Sequence, residues 1–352
     1  MNTRAAIQLK QGDPLIVAEL EVPDPRPDQV IVKLYSSGIC HSQLHHMHDP
    51  QFTRPLVLGH EATGVVTHIG QDVKHVDEGD LAIVTWVPRR PVQGRPTWPP
   101  LGPTYQGRPV DGSIVYTWCE DALVNSEMVI KIDNDTPRDV SCIVGCAVLT
   151  GAGAIKNTAC VRPGESVAVF GAGGVGLCAI QMASLLEAYP IVAVDLSDEK
   201  LKFAKEFGAT HGVNASKEDP VDAIQSITRG GADYALDAIG VRVASEQILP
   251  STRGGGVGAD NIGGTAILIG MPSGDPNMIL DRGHFMFHQR QYRGSLGATY
   301  PEKDFELFLR WHSEGKFPLD KLITRRYRLD DINDACDALQ AGEIAGRAII
   351  EY

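Results

Sequence analysis

The ten residues 167–176, VAVFGAGGVG, decide the fold. Val167–Phe170 is short and apolar, as expected of a strand buried in a parallel sheet, and it runs directly into the pattern G-x-G-x-x-G. In that pattern Gly171 permits a tight turn, Gly173 lets the backbone approach a pyrophosphate, and Gly176 lets the next helix pack closely on the strand. Free N–H groups at the start of that helix favour a phosphate. The stretch therefore predicts the first unit of a dinucleotide-binding domain.

The residues after the glycines fit the same unit. An apolar helix is predicted over Val175–Leu186 and a second strand over Ile191–Asp195, so that Asp195 lies 195 − 171 = 24 positions after the first glycine. A carboxylate at the end of that strand accepts hydrogen bonds from the adenosine ribose and repels a 2′-phosphate, which favours NAD over NADP. The alternative is a plain glycine turn in which Asp195 only caps the next helix, predicted over Glu199–Phe207.

The rest of the chain shows two kinds of pattern. Further short strands at Tyr234–Ala238 and Thr265–Ile269 alternate with helical segments, which is typical of a parallel, doubly wound α/β sheet. A glycine-rich loop is predicted at Ser251–Gly264. The first third contains β-rich runs at Ala6–Leu9, Leu15–Val22, Val30–Leu34, Gly64–Ile69 and Asp80–Val87, and the chain ends with a predicted helix, Asp331–Gln340, and strand, Arg347–Glu351.

Length and composition limit the classes of function. A chain of 352 residues, 43% hydrophobic and 22% charged, suits two globular domains. Its net charge of −12 argues against nucleic acid or an anionic membrane as partner. The first ten residues have no apolar run long enough for a signal peptide, and no stretch approaches the length of a membrane-spanning helix, so we expect neither. The 7 cysteines have no disulfide-framework spacing, so we expect reduced thiols in a cytoplasmic protein.

Three separated motifs carry side chains that zinc prefers. They are GICHS at 38–42, GHE at 59–61 and GC at 145–146, the last followed by Thr150 and Gly151. A catalytic zinc keeps three protein ligands and one open position, and Cys40, His60 and Cys146 would supply two thiolates and an imidazole. Isolated cysteines are more often small buried hydrophobes, so the spacing alone leaves both interpretations open.

Together these motifs resemble the zinc-containing alcohol dehydrogenases of the medium-chain dehydrogenase/reductase superfamily. The ligand motifs, the glycine pattern, Asp195 and the terminal Gly346-Arg347 follow one another in the order of that family, over essentially the whole chain. The resemblance implies a mainly β GroES-like catalytic domain built from residues 1–147 and 296–352. It also implies a Rossmann NAD-binding domain of residues 148–295, and assembly as a homodimer or homotetramer.

The resemblance also implies roles for individual residues. The ligands of one catalytic Zn²⁺ are expected to be Cys40, His60 and Cys146. The residues expected to act in catalysis are Glu61 beside the metal, Ser42, which takes the alcohol proton, and His45, which passes it to solvent. The expected NAD contacts are His41 and Arg347 at the pyrophosphate, the turn residues Gly171, Gly173, Gly174 and Gly176, Thr150 and Val175 at the nicotinamide, Asp195, and Lys200 near the adenosine ribose.

Some of these assignments have ordinary alternatives. His45 lies beside His46 and His48, so a surface cluster of histidines explains it equally well. Lys200 could be a solvated helix lysine. Cys142 precedes Cys146 by one helical turn and could compete as the third ligand if that stretch is helical. The other four cysteines are interpreted as structural: Cys119, Cys160, Cys178 and Cys336.

The chain departs from the family pattern in two places. Many relatives carry four close cysteines that hold a structural zinc, whereas the corresponding segment Val87–Val110 is rich in proline and has no cysteine. We therefore expect no structural zinc, and prolines that stiffen the loop instead. Gln43 stands where the family usually has an aspartate that bonds the zinc-binding histidine. A neutral amide would make His60 a less basic ligand.

The segment Val87–Val110 is also basic. It carries Arg89, Arg90, Arg95 and Arg108 without an acidic residue, and Trp86, Trp98 and Tyr105 lie among or beside them. One hypothesis is that arginine forks and aromatic rings recognise an anionic or aromatic substrate. The alternative is a basic surface that docks on an acidic neighbouring subunit.

The predicted activity is oxidation of a primary or secondary alcohol by NAD, with reduction of an aldehyde or ketone as the reverse reaction. Two other functions remain open at this stage. NAD could be held tightly, as in a nicotinoprotein or dismutase, or the chain could be a non-catalytic nucleotide-binding member of the superfamily.

Overall fold

The chain folds into two compact units. The computed structural model describes residues 1–94, 99–112, 114–275 and 277–352. The first unit, here the terminal unit, comprises Met1–Cys146 and Tyr300–Tyr352, and the second, the central unit, comprises Ala147–Thr299. Both ends of the chain therefore build one unit, and the glycine pattern lies in the other. Within the described ranges, every helix is too short or too polar to cross a membrane.

The first part of the terminal unit consists mainly of strands. Its elements are β1 (Asn2–Gln8), β2 (Ile16–Glu21), β3 (Gln29–Ile39), α1 (His41–His48), β4 (Leu56–Val57), β5 (Glu61–Ile69), β6 (Leu81–Thr85), β7 (Thr104–Tyr105), β8 (Arg108–Pro109), β9 (Asp121–Asn125) and β10 (Val129–Lys131), with 3₁₀ turns at Ser126–Met128 and Ser141–Gly145. The proline-rich segment contributes only the short hairpin β7–β8 among its described residues, as expected where proline removes backbone donors.

The central unit alternates helices and strands. Its elements are α2 (Ala147–Gly153), which continues as a π-helix over Ala154–Ala159, β11 (Val167–Phe170), α3 (Gly174–Leu185), β12 (Ile191–Asp195), α4 (Asp198–Glu206), β13 (His211–Asn214), α5 (Pro220–Thr228), β14 (Tyr234–Asp237), α6 (Arg242–Ile248), β15 (Thr265–Leu268), α7 (Arg282–Met286) and β16 (Gln291–Gly294). The strands form one parallel sheet in the order β13-β12-β11-β14-β15-β16. The predicted doubly wound α/β sheet is confirmed.

The strand order reverses between β11 and β14. From β11 the chain moves outward through β12 and β13, then returns to the other side of β11 at β14. In open parallel sheets, ligands bind outside the carboxyl ends of the strands at such a reversal. Gly171, with φ of +97°, follows β11 at this edge. The turn therefore lies at the place where the fold expects a nucleotide.

The last residues return to the terminal unit. They form α8 (Pro301–Ser313), β17 (Ile323–Tyr327), α9 (Ile332–Gln340) and β18 (Arg347–Glu351). Strand β18 lies between β3 and β17 in the sheet β10-β6-β5-β3-β18-β17, which β9 also joins through β3. Ala348 is opposite Ile39 in the antiparallel β3–β18 pair. The C-terminal strand therefore places Arg347 beside the end of β3.

The close packing of α3 on its own turn generates a prediction. A Cβ atom on Gly176 would lie 1.8 Å from the carbonyl oxygen of Gly171, whereas one on Gly173 would meet nothing within 4 Å. We expect Gly176→Ala to lower the free energy of unfolding by about 1–3 kcal/mol. Gly173→Ala, the matched control, should stay within about 0.5 kcal/mol of the parent chain. Urea denaturation measures both, and equal stabilities would contradict the packing argument.

Candidate functional site

Three sequence-distant side chains converge in the terminal unit. Cys40 follows β3, His60 precedes β5, and Cys146 follows the 3₁₀ turn Ser141–Gly145. His60 Nε2 lies 3.0 Å from Cys146 Sγ, and the two sulfurs lie 4.0 Å apart. All three ligand atoms fall within 4.8 Å of one another. Among the described residues, they form the one group of three or more His, Cys, Asp or Glu side chains close enough to hold a metal.

The backbone fixes the positions of Cys40 and His60 in the metal group. Strands β3 and β5 are antiparallel partners, with Ser37 opposite Ala62, so the residues just outside the pair, Cys40 and His60, are brought together. Gly59 turns the chain into His60 with φ of +93°, and a Cβ there would lie 2.4 Å from Thr117 Oγ1. This position therefore requires glycine for both conformation and space.

The three side chains fit a zinc ion. Tetrahedral zinc with bonds of about 2.3 Å to sulfur holds two sulfurs about 3.8 Å apart, close to the separation of Cys40 and Cys146. Hydrogen bonding with Cys146 lowers the pKa of the Cys40 thiol well below its usual value, and His60 and Arg347 add to the shift. The thiolate is the form that binds metal. Three ligands leave one coordination position open for a substrate.

Gln43 holds the imidazole of His60 from behind. It is buried in α1, its side-chain amide contacts Nδ1 of His60, and its Oε1 accepts a hydrogen bond of 2.6 Å from the N–H of Gly59. When Nε2 of a neutral imidazole binds a metal, Nδ1 carries the proton. The N–H groups of His60 Nδ1 and of the Gly59 backbone then both face the Gln43 amide. That amide has a single acceptor oxygen, so it can accept from only one of them, whichever way it is turned. Gln43 therefore supports the zinc-binding tautomer of His60 less well than a carboxylate would.

A buried ion pair lies beside the metal group. Glu61 and Arg347 are 0% and 5% exposed, and Arg347 Nη2 contacts Glu61 Oε1. A Cβ atom on Gly38 would fall 2.3 Å from the Glu61 carboxyl carbon, so the backbone of β3 packs directly against that carboxylate. Burial of either charge alone would be costly, and the pairing offsets it. Among the described residues, Arg347 Nε has no hydrogen-bond partner.

Helix α1 carries the remaining candidates near the metal group. Ser42 Oγ donates to Cys40 Sγ at 3.3 Å. The rings of His41 and His45 lie 5.7 Å apart, one helical turn from each other. His46 instead packs on Phe52, and burial lowers the pKa of its imidazole. His45 is half-buried, so it sits between the protein interior and solvent.

The other cysteines divide by exposure. Cys142 is buried with its thiol directed at the carbonyl of Asp139, 3.1 Å away, and burial raises its pKa to about 12. It does not compete with Cys146 for the metal group. Cys119, Cys178 and Cys336 are buried, as expected of structural cysteines. Cys160, in contrast, is exposed.

In the central unit, Asp195 ties the glycine turn to β12. Its carboxylate accepts hydrogen bonds from the N–H of Ala172 at 2.9 Å and the N–H of Ser197 at 3.1 Å. The cap of α4 is Ser197, which accepts from the N–H of Lys200. The alternative in which Asp195 caps that helix is therefore wrong. Lys200 lies half-buried in the first turn of α4.

The candidate nicotinamide residues lie on two packed helices. A Cβ atom on Gly151 of α2 would approach the carbonyl oxygen of Val175 in α3 to 2.1 Å. Thr150 and Val175 are therefore carried by helices in direct contact, and both are half-buried. The N-cap of α3 is Gly173, which has no side chain to cap the first N–H groups of the helix, among them that of Gly174. Those groups suit a phosphate.

One acidic residue at this edge of the sheet was not predicted from the sequence. Asp237 is fully buried at the end of β14, opposite Phe170 of β11. Its carboxylate accepts from the N–H groups of Ile239 and Gly240 and from Ser245 Oγ at 2.7 Å. It shapes the turn after β14 at the strand-order reversal. Asp237 could have been predicted, because the predicted strand Tyr234–Ala238, like Ile191–Asp195, carries an aspartate near its carboxyl end.

The basic segment is partly used inside the terminal unit. The Arg89 side chain is 10% exposed and pairs with Glu127 at 3.1 Å and with Glu302. Arg89 therefore fits neither role considered for the basic segment, which were substrate recognition and docking on a neighbouring subunit. Trp86 and Tyr105 pack against the core. Arg90 and Arg108 are exposed, whereas Arg95, Pro96 and Trp98 lie outside the described residues.

Comparisons with known proteins agree with both units. Residues 26–134 match the family model "Alcohol dehydrogenase GroES-like domain", and residues 174–314 match "Zinc-binding dehydrogenase". The S-(hydroxymethyl)glutathione dehydrogenase of Paracoccus denitrificans is 32% identical over 388 aligned positions, which cover 100% of both chains. The enzyme of the same name from Escherichia coli O1:K1 is 31% identical, again over 100% of both chains.

Solved structures show the same relationship in three dimensions. Benzyl alcohol dehydrogenase from Acinetobacter calcoaceticus superposes with a TM-score of 0.89 at 28% identity, covering 100% of this chain and 99% of that one. An alcohol dehydrogenase zinc-binding domain protein from Burkholderia ambifaria gives a TM-score of 0.88 at 28% identity, with the same coverage. The likeness therefore extends over the whole chain.

The contact between Gln43 and His60 generates a prediction about metal affinity. Gln43→Glu supplies acceptor oxygens for both N–H groups, so we expect zinc to bind about 10-fold or more tightly than in the parent protein. Gln43→Met, of similar size but without an acceptor, should bind zinc more weakly. Competition with a chromophoric chelator measures the affinities. Equal zinc affinities in all three proteins would show that this amide does not limit the site.

Proposed function

The chain belongs to the NAD-dependent zinc alcohol dehydrogenases of the medium-chain dehydrogenase/reductase superfamily, and from that premise we propose how its own residues carry the reaction. The proposed reaction transfers hydride between a primary or secondary alcohol and NAD, with one zinc ion per chain. One observation carries the proposal: the ligand atoms of Cys40, His60 and Cys146 lie within 4.8 Å of one another. A tetrahedral zinc ion held by these three ligands would keep a fourth position for the substrate oxygen.

The residues around the metal group have different proposed roles in the reaction. When bound, zinc would supply a Lewis acid that lowers the pKa of an alcohol hydroxyl, and NAD would supply the hydride acceptor. The Ser42 hydroxyl, 3.3 Å from Cys40 Sγ, accepts the proton that the alcohol releases. His45, half-buried on the same helix, passes that proton to solvent. Glu61 adjusts the charge next to the metal, and Arg347 pairs with that carboxylate.

The proposed cofactor contacts start from Arg347 Nε, which has no hydrogen-bond partner among the described residues, and from the uncapped start of α3. A buried guanidinium N–H without a partner calls for an acceptor, so the Nε of Arg347, together with His41, is proposed to bind a cofactor phosphate. The uncapped start of α3, at Gly173 and Gly174, is proposed to receive the pyrophosphate. Thr150 and Val175 line the nicotinamide in this proposal, and Asp195 and Lys200 face the adenosine ribose.

The substrate class is proposed to be an alcohol bearing an aromatic or anionic group. Relatives named for S-(hydroxymethyl)glutathione and for benzyl alcohol represent these two chemistries. Arg90 and Arg108 support the anionic half, because they are exposed in a segment without acidic residues. Arg89 is excluded from that role because its guanidinium is engaged with Glu127 and Glu302.

We also propose that the chain assembles as a homodimer or homotetramer. Strand β16 ends the central sheet and pairs with β15 alone among the described strands, so its outer edge presents backbone groups for pairing. Exposed apolar side chains lie close to it in sequence, including Phe287 at 71% and Leu296 at 70% exposure. Exposed apolar surface of this kind marks interaction sites.

Metal removal and a substrate panel test the proposed reaction. We expect exhaustive chelation to abolish NADH formation and stoichiometric zinc to restore it. Cys146→Ser should lose one sulfur ligand or the metal itself, whereas Ser42→Ala should keep the metal group intact and lower kcat by about 10²–10⁴-fold. The panel comprises benzyl alcohol, S-hydroxymethylglutathione and 2,3-butanediol, with absorbance of the reduced nicotinamide as readout. Full activity without metal would refute the proposal.

The choice of nucleotide rests on the charge of Asp195. Asp195→Asn keeps the size of the side chain and an acceptor oxygen but removes the repulsion of a 2′-phosphate. We expect the ratio of kcat/KM for NAD to that for NADP to fall by about 10-fold or more, equal to about 1.4 kcal/mol. Asp222→Asn, which removes the charge of an exposed aspartate on α5, is the control and should leave the ratio unchanged. An unaltered ratio in Asp195→Asn would exclude that carboxylate as the discriminator.

A further inference from the structure

The central unit contains a polar cavity away from its glycine turn. The cavity has a volume of about 260 Å³, and residues at the start of four strands line it. Glu165 precedes β11, and Tyr234, Thr265 and Gln291 are the first residues of β14, β15 and β16. Because these strands are parallel, the cavity lies at the amino edge of the sheet, whereas the glycine turn lies at the carboxyl edge. The proposed nucleotide site does not account for it.

Three arginines from separate segments line the cavity. They are Arg162, Arg253 and Arg293, in a chain whose net charge is −12. Two of them are held in place by neutral groups: Arg293 donates to Gln291 Oε1 at 2.8 Å, and Arg253 donates to the carbonyl of Ile262 at 2.8 Å. Guanidinium groups that are already oriented lose less entropy when they bind a ligand.

The acidic residues of the cavity are engaged by donors of the protein. Asp233 accepts from the N–H and the hydroxyl of Ser166 at 2.8 Å each with one oxygen, and from Arg253 at 2.5 Å with the other. Glu165 accepts from the backbone N–H of Arg162 at 2.8 Å. Among the described residues, the guanidinium groups of Arg162 and Arg293 have no acidic partner. The three arginines and two carboxylates leave the cavity with a net positive charge.

We propose that this cavity binds a small oxyanion, a phosphate or a carboxylate, between Arg162 and Arg293, with Arg253 positioned by Asp233. The planar guanidinium fork matches the paired oxygens of either group. A volume of about 260 Å³ suits a ligand of few heavy atoms rather than a second dinucleotide. The site is independent of the proposed dehydrogenase reaction, because it uses none of the residues assigned to metal, NAD or proton transfer.

Cys160 offers a way to locate the ligand. It lines the same cavity and is exposed. The buried thiols are Cys119, Cys142, Cys178 and Cys336, and the remaining two cysteines, Cys40 and Cys146, belong to the metal group. In the zinc-loaded protein a neutral maleimide should therefore react first at Cys160, and an anion bound between the arginines should cover that thiol.

Calorimetric titration of the zinc-loaded protein with inorganic phosphate, and separately with succinate, tests the proposal. We expect saturable binding of at least one anion at one site per chain, lost in Arg162→Gln and Arg293→Gln. Arg229→Gln, which removes an exposed arginine outside the cavity, is the matched control and should bind as the parent does. Ligand at about ten times its Kd should slow maleimide labelling of Cys160 roughly tenfold.

Three results would overturn the proposal. They are no saturable binding of either anion, binding that persists unchanged in both cavity variants, and labelling of Cys160 that saturating ligand does not slow. Far-ultraviolet circular dichroism on every variant establishes that loss of binding does not follow from loss of fold. If both anions bind, the tighter one assigns the ligand to phosphates or to carboxylates.

Discussion

The pairing of β3 with strands from distant parts of the chain is the constraint on which the metal group depends. Strand β5 pairs with β3 on one side, and β18, which ends the chain, pairs with it on the other. Cys40 follows β3, His60 precedes β5, and Arg347 begins β18. Strand ladders therefore set the positions of two ligands and of the charge beside them. Cys40, His60 and Arg347 are therefore attached to a rigid sheet.

The groups around the metal are coupled through burial. Once deprotonated to bind metal, two sulfurs 4.0 Å apart would concentrate negative charge beside the fully buried Glu61. Arg347 and a divalent cation are the charges that balance them, so metal binding and folding stabilise each other in this account. Gln43 contributes no charge to this balance, because it places a neutral amide behind His60 where the family usually has a carboxylate. The proposed affinity for zinc thus depends on the charges of the two sulfurs, Glu61 and Arg347, and on the neutral amide of Gln43.

Periodicity and turn residues predicted several of the buried strands, and Ile191–Asp195 and Arg347–Glu351 form strands with the predicted limits. The edge strands β13 and β16, with sequences HGVN and QYRG, were missed because half-exposed strands lack an apolar run. The metal group could be predicted because the order of its motifs resembles that of a known family, whereas the spacing of the residues alone left both interpretations open. Ion pairing of Arg89 and exposure of Cys160 could not, because both depend on segments that meet only in the folded chain.

The central claim is that two sulfurs and one imidazole of this chain hold a zinc ion. X-ray absorption at the zinc edge of the purified protein tests it most directly. The account predicts two sulfur neighbours at about 2.3 Å and one imidazole nitrogen at about 2.0–2.1 Å, with the fourth position filled by oxygen. Cys146→Ser should lose one sulfur from that shell or lose the metal. A shell of oxygen and nitrogen only, or one unchanged in the variant, would contradict the account.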